Sequence, residues 1–143
     1  MEPTGGRPVS PQPATAVAPV VSAPLSCFIR LATPSMNSLL TFYCIGSRPR
    51  IETKAEVRLF RLKMTGLLPR WDCPKEGWLS LHLTFQQPWH YANGKPKRQD
   101  MPNLIKCVLD TLASRYRFDD SRIWSLTCAK EELEQVGIQI QLR

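Results

Sequence analysis

From Trp78 to Phe85 the chain alternates strictly, with Leu79, Leu81, Leu83 and Phe85 on one face and Trp78, Ser80, His82 and Thr84 on the other. A period of two predicts a half-buried strand, with His82 as a surface strand residue. Val136, Ile138, Ile140 and Leu142 repeat the pattern, and Leu25–Leu31 and Ile123–Ala129 read as two further strands. Helical spacing appears first at Val57, Phe60 and Met64. Thr53-Lys54-Ala55-Glu56 opens that helix as a capping box, and the helix ends near Gly66. A second helix is predicted from about Pro102 to Arg115, burying Leu104, Ile105, Val108, Leu109 and Leu112. Thr33–Ser38 forms a turn-rich loop, and Gln86–Arg98, with its Asn93-Gly94 pair, forms another. The order strand, helix, strand, helix, strand, strand, without internal repeat, predicts an α+β fold with two helices packed on a small mixed β-sheet.

The stretch ahead of Leu25 has a different character. Pro3, Pro8, Pro11, Pro13, Pro19 and Pro24 punctuate Ala, Val, Ser, Thr and Gly, with no aromatic residue. Such a segment buries too little to offset its ordering entropy, so residues 1–24 are expected to be a disordered tail and 25–143 the folded domain. It lacks the basic start and unbroken apolar run of a signal peptide, and no apolar run approaches membrane-spanning length.

Charge narrows the function classes. The formal net charge is +7 over 143 residues, and Glu2 cancels Arg7 in the tail, so the basic excess belongs to the domain. A basic domain attracts polyanions, nucleic acid first. The five cysteines, Cys27, Cys44, Cys73, Cys107 and Cys128, are spread without a C-x-x-C pair, and His82 and His90 offer no zinc spacing. Cys107 and Cys128 fall among apolar neighbours and are expected to be buried thiols. A reducing, cytoplasmic setting fits better than a disulfide framework or a structural zinc.

Candidate chemistry is concentrated between residues 95 and 123. A basic run (Lys95, Lys97, Arg98) leads to Asp100 at a helix start. Asn103, Lys106 and Asp110 follow three and four apart on one polar face, and Asp119-Asp120 stands just past the helix end. Each piece has an ordinary structural use: an acid near a helix N-terminus, an i,i+4 ion pair, a turn before a strand. Together, carboxylates beside Lys and Arg are what a protein needs to hold Mg²⁺ against a phosphodiester.

At these residues the chain resembles the RusA family of Holliday-junction resolvases. The family pattern is a basic run, Asp-x-Asp-Asn-x-x-Lys-x-x-x-Asp, then an Asp-Asp pair before a strand. Here it stands as Asp100-Met101-Pro102-Asn103-Leu104-Ile105-Lys106-Cys107-Val108-Leu109-Asp110, then Asp119-Asp120. Pro34-Ser35-Met36-Asn37 resembles the family's Pro-Ser-x-Asn turn, and the likeness covers roughly residues 25–143. The resemblance implies a dimeric endonuclease, dependent on Mg²⁺ or Mn²⁺, acting on a four-way DNA junction. It implies Asp100 and Asp120 as metal ligands; Asp119, or the more remote Asp110 two turns into the helix, is placed to approach as a third. It implies Lys106 as the group that stabilises charge on the scissile phosphate or orients the attacking water. Arg48, Arg50, Lys54, Arg58, Lys95, Lys97, Arg98 and Asn103 then fall to DNA binding.

One position departs from the pattern: the family's second carboxylate falls on Pro102. Two readings follow. Either the remaining acids suffice, because water and phosphate complete a Mg²⁺ shell, or the site is degenerate and the protein binds branched DNA without cutting it. A third class, an adaptor acting through the Pro-rich tail, predicts partner binding that is lost with residues 1–24.

Overall fold

The computed structural model describes residues 23–34 and 39–143; the expected tail up to residue 22, and Ser35, Met36 and Asn37 of the Pro-Ser-x-Asn turn, lie outside them. The elements are β1 (Leu25–Ile29), β2 (Leu40–Ile45), β3 (Arg48–Thr53), α1 (Ala55–Leu67), β4 (Leu79–Gln87), α2 (Met101–Tyr116), β5 (Ile123–Glu132) and β6 (Gly137–Leu142), with a 3-10 turn at Asp120–Arg122 before β5. Four strands form one mixed sheet in the order β1-β6-β4-β5. β6 runs antiparallel to both β1 and β4, and β5 runs parallel to β4 along the outer edge. This is the expected α+β arrangement of two helices on a small mixed sheet.

The alternation along β4 sets the layers. Leu79, Leu81, Leu83 and Phe85 are buried together with Ile138, Ile140 and Leu142 of β6 and Leu25 and Ile29 of β1. Val57, Phe60 and Met64 of α1 and Leu104, Cys107, Val108 and Leu112 of α2 close over them. On the opposite face the two middle strands pair polar residues, His82 across from Gln141 and Thr84 from Gln139. Gly137 has no room for a side chain: a Cβ there would run into the Phe28 ring and stand 2.7 Å from the Ile29 carbonyl.

Three local expectations are corrected. Residues 40–53, which carry the basic Arg48 and Arg50, form a hairpin that the predicted order of elements leaves out, turning at Gly46 with φ of 61°. Pro49 and the exposure of both strands masked the strand pattern. The capping box does not form: Thr53 is the last residue of β3, Lys54 occupies the cap, and no side chain bonds the free N–H groups. Arg58 instead reaches back to Glu52 at 2.8 Å and to the Thr53 carbonyl at 2.6 Å, tying helix start to strand end. Cys107 is buried, but Cys128 is only half-buried, because β5 is an edge strand; all five cysteines are free thiols. Among the described residues, no helix is long and apolar enough to cross a membrane.

Candidate nuclease site

The polar face of α2 is built by its apolar one. Burial of Leu104, Cys107, Val108, Thr111 and Leu112 fixes the helix rotation, and Asn103, Lys106 and Asp110 are thereby turned outward in a row. Lys106 Nζ lies 2.7 Å from Asp110 Oδ1. Asp110 Oδ2 in turn accepts from the Arg61 guanidinium of α1 at 2.9 Å. Both oxygens of Asp110 are therefore engaged, one by each helix.

The second carboxylate on Lys106 comes from beyond the helix. Arg117 caps α2 in left-handed backbone (φ 55°, ψ 49°), an unusual conformation for a residue with a Cβ. The chain reverses there, Phe118 buries its ring, and the following residues run back beside α2. Asp120 Oδ2 arrives 3.5 Å from Lys106 Nζ. The Asp110 hydrogen bond raises the Lys106 pKa above its ordinary 10.5; desolvation partly opposes this, and the charges of Asp110 and Asp120 add to it. At neutral pH Lys106 is a fixed cation held between two anions, not a proton acceptor.

Asp100 is placed differently. It stands exposed just ahead of α2 in extended backbone, and its side chain makes no capping bond. Met101, not Pro102, is the first helical residue, one position earlier than expected. The backbone leading to Asp100 is nevertheless pinned. Gln99 accepts from Gln87 Nε2 at 3.0 Å, donates to the Pro34 carbonyl at 3.1 Å, and offers its own carbonyl to Lys130 at 2.8 Å. Gln87, itself buried, also accepts from Thr33 at 3.1 Å. Asp119 turns to its own loop and accepts from the Ser121 N–H at 2.8 Å; the Ser121 side chain first, and this N–H second, hold its carboxyl below its ordinary pKa of 3.8. Among the described residues, no three carboxylate, His or Cys side chains gather closely enough to hold a metal ion between them. The structure thus brings Asp110, Lys106 and Asp120 together, and leaves Asp100 and Asp119 outside that contact. The acids on offer are all hard oxygen donors, the type that suits Mg²⁺ or Mn²⁺.

A cleft of about 510 Å³ opens beside these residues, lined by Asn103, Lys106, Asp110 and Arg61 and by Leu40 and Phe42 of the hairpin. Arg61 was not singled out from the sequence. Its position four after Val57 and three before Met64 is the signal that places it at the border of the buried stripe, facing α2.

The expected DNA-binding cations occupy three places. Arg48 and Arg50 lie on the hairpin face opposite Phe42 and Ile51, with Arg50 across from Tyr43. Lys54 and Arg58 lie at the start of α1, where Arg58 is already paired with Glu52. Lys95, Lys97 and Arg98 lie on the segment entering α2.

A comparison with curated proteins returns no match. The sequence profile of the family described as Endodeoxyribonuclease RusA matches residues 46–143. That span begins at the hairpin turn and takes in β3, both helices, and β4 to β6, including every residue of the Lys106 contact. With the profile covering most of the sequence, the chain belongs to the RusA endodeoxyribonuclease family.

Proposed function

We propose that this protein is a divalent-metal-dependent endonuclease that cuts four-way (Holliday) junctions or closely related branched DNA, working as a homodimer in the cytoplasm. The observation that carries the reading is the Lys106 ammonium, 2.7 Å from Asp110 and 3.5 Å from Asp120, on a basic chain of an endodeoxyribonuclease family. Asp100 and Asp120 would hold Mg²⁺ or Mn²⁺, with Asp119 as a further oxygen donor. A divalent cation on such carboxylates polarises a phosphoryl oxygen and lowers the pKa of a bound water.

The chain's own residues do the rest. Asp110, clamped by Arg61, holds the Lys106 ammonium at the mouth of the cleft. There it is aimed at the extra negative charge that develops on a phosphate under attack, a role in which a preorganised cation contributes most. Because Lys106 stays protonated, the proton of the attacking water passes to a carboxylate or to solvent. The hairpin cations and the Lys95–Arg98 segment bind backbone phosphates, and affinity falls with salt accordingly.

Pro102 favours a second reading, a protein that binds branched DNA without cleaving it. The two are separated by cleavage of an end-labelled four-way junction in Mg²⁺ and in Mn²⁺, with a matched linear duplex and Asp120→Asn alongside. Paired nicks in the junction, abolished in Asp120→Asn, support the enzyme. Tight junction binding without nicks in either metal, with cleavage gained by Pro102→Asp, supports the binding protein.

A further inference from the structure

Ahead of α2 the chain builds a second, smaller hairpin, and Tyr91 at its turn has no part in the phosphate binding proposed for Lys95, Lys97 and Arg98. His90 bridges Pro96, the Tyr91 N–H donates to the Lys95 carbonyl at 2.9 Å, and the Gly94 N–H donates to the Tyr91 carbonyl at 2.9 Å. Gly94 takes φ of 78°, the left-handed position that closes a tight turn of this kind, and Asn93 Oδ1 accepts from the Lys95 N–H at 3.0 Å. The base is anchored to β5: Glu132 accepts from the Trp89 N–H at 2.7 Å and contacts His90 Nδ1 at 3.0 Å, while Lys130 Nζ sits 4.5 Å from the Trp89 ring centroid. A segment with this many internal and anchoring bonds is a formed arm, not a slack loop.

The arm presents one aromatic ring. Tyr91 is 57 % exposed at its tip, although nothing in the core requires a ring there. Lys97 Nζ lies 5.8 Å from its centroid. Lys95, Pro96 and Arg98 join Tyr91 in lining a cleft of about 540 Å³. No acidic residue lies between His90 and Gln99, and none of the ion pairs among the described residues engages Lys95, Lys97 or Arg98. An exposed ring bordered by Lys95, Lys97 and Arg98, none of them held in an ion pair, matches an aromatic base attached to phosphates. Stacking on such a ring is sequence-tolerant, because every base has a π-face. In intact duplex both faces of a base are covered by its neighbours, so a ring gains this contact only where stacking is interrupted.

We propose that Tyr91 is a base-stacking residue that engages an unstacked nucleotide at the branch point of the DNA, with Lys95 and Arg98 gripping its flanking phosphates. The proposal rests on the reading of the site as one that acts on branched DNA, and it adds the contact by which a branch is told from linear duplex. The arm leads directly into the pinned Gln99 and Asp100, so a base held at Tyr91 sets the register of the strand entering the cleft.

The test uses the full chain carrying Asp120→Asn, so that junctions stay intact, without and with Tyr91→Ala, Tyr91→Phe, Tyr91→Trp or Lys95→Ala. Binding is measured to a four-way junction and to linear duplex. A junction carrying 5-iodouracil at the branch point is also photo-crosslinked, and the adduct is located by peptide mass spectrometry. Tyr91→Ala is expected to weaken junction binding about tenfold while changing duplex binding less than about twofold. Tyr91→Phe and Tyr91→Trp keep the preference, and the adduct maps to residue 91. Lys95→Ala weakens both DNAs alike and flattens the salt dependence. Equal loss on both DNAs with Tyr91→Ala, or unchanged junction binding with no adduct at Tyr91, overturns the stacking role and leaves the branched-DNA reading standing. If the parent chain itself prefers neither DNA, that reading fails, and this inference fails with it.

Discussion

Asp120 Oδ2 lies 3.5 Å from Lys106 Nζ because Arg117, between them in the chain, adopts left-handed backbone and sends the chain back along α2. The contact thus depends on a turn that a non-glycine residue makes at a conformational cost of about 1 kcal/mol. Arg117→Gly relieves that cost but loosens the unfolded chain, so it is expected to leave thermal stability unchanged or raise it by up to about 0.5 kcal/mol. Arg117→Val, stiff at Cβ and poorly tolerated at positive φ, should destabilise by about 1–2 kcal/mol and slow cleavage by displacing Asp120. Thermal unfolding and junction cleavage of the two variants check both halves.

Lys106 is expected to act by charge. Lys106→Met should lower the cleavage rate by about 100-fold or more, with junction affinity changed far less. The pH dependence follows from the sign of its shift. A lysine whose folded pKa is raised keeps its charge, and the stability that charge contributes, below its ordinary 10.5, and loses them only as pH rises through the higher folded value. A pH–rate profile should therefore show no alkaline fall below about pH 10 that disappears in Lys106→Arg. A fall near pH 8 abolished by that substitution would show that Lys106 gives up a proton during the reaction.

Arg61 acts on Lys106 through Asp110. The Arg61–Asp110 pair is about two-thirds shielded from solvent, so Arg61→Met should cost about 1 kcal/mol in stability. Its larger effect should be on rate, because Asp110 then swings with Lys106 instead of holding it. A double-mutant cycle of Arg61→Met and Lys106→Met, read in cleavage rate, should give less than additive losses. Fully additive losses would mean that the two cations work separately.

Much of this architecture was legible before the fold was known, and the exceptions share a cause. β4, β6 and α2 announce themselves because one face of each is buried, and burial imposes a period on the sequence. The β2–β3 hairpin does not, because Phe42 (68 % exposed) and Ile51 (64 % exposed) stand in solvent and their alternation has no buried layer to report. The Lys106–Asp110 pair follows from i,i+4 spacing alone. That Asp120 and not Asp119 would meet Lys106 depends on the Arg117 turn and on the Ser121 bond to Asp119, neither of which carries a periodic signal. The capping box failed for a local reason: Thr53 is held by pairing with Leu40, so its hydroxyl is not where a cap needs it.

The bonds that pin Gln99 predict a defect at a distance from any acid. Gln87→Leu fills similar volume but leaves the Thr33 hydroxyl and the Gln99 side-chain carbonyl without a partner, a loss of about 1–3 kcal/mol. With Gln99 freed on that side, Asp100 loses its fixed approach to α2. Cleavage by Gln87→Leu, measured at a temperature where the variant is fully folded, should fall severalfold. Unchanged cleavage in a destabilised but folded variant would confine Gln87 to the core.

Glu132 supplies the last expectation, because it ties the Tyr91 arm to β5. Desolvation is the largest single influence and raises its pKa, but the hydrogen bonds from His90 and the Trp89 N–H and the charge of His90 together outweigh it, so the carboxyl titrates below its ordinary 4.5. A carboxylate depressed in the folded state contributes stability that is fully present above its unfolded pKa and lost as pH falls through the folded value. The anchoring of the arm should therefore hold at neutral pH and loosen only below about pH 4.5. The Trp89 amide resonance, titrated by NMR, should shift with a midpoint under that value. In Glu132→Gln the amide oxygen can still accept from the Trp89 N–H, so the resonance should stay near its neutral-pH position while its acid titration disappears. A Trp89 resonance that titrates identically in both proteins would assign the transition to another group and detach the arm from Glu132.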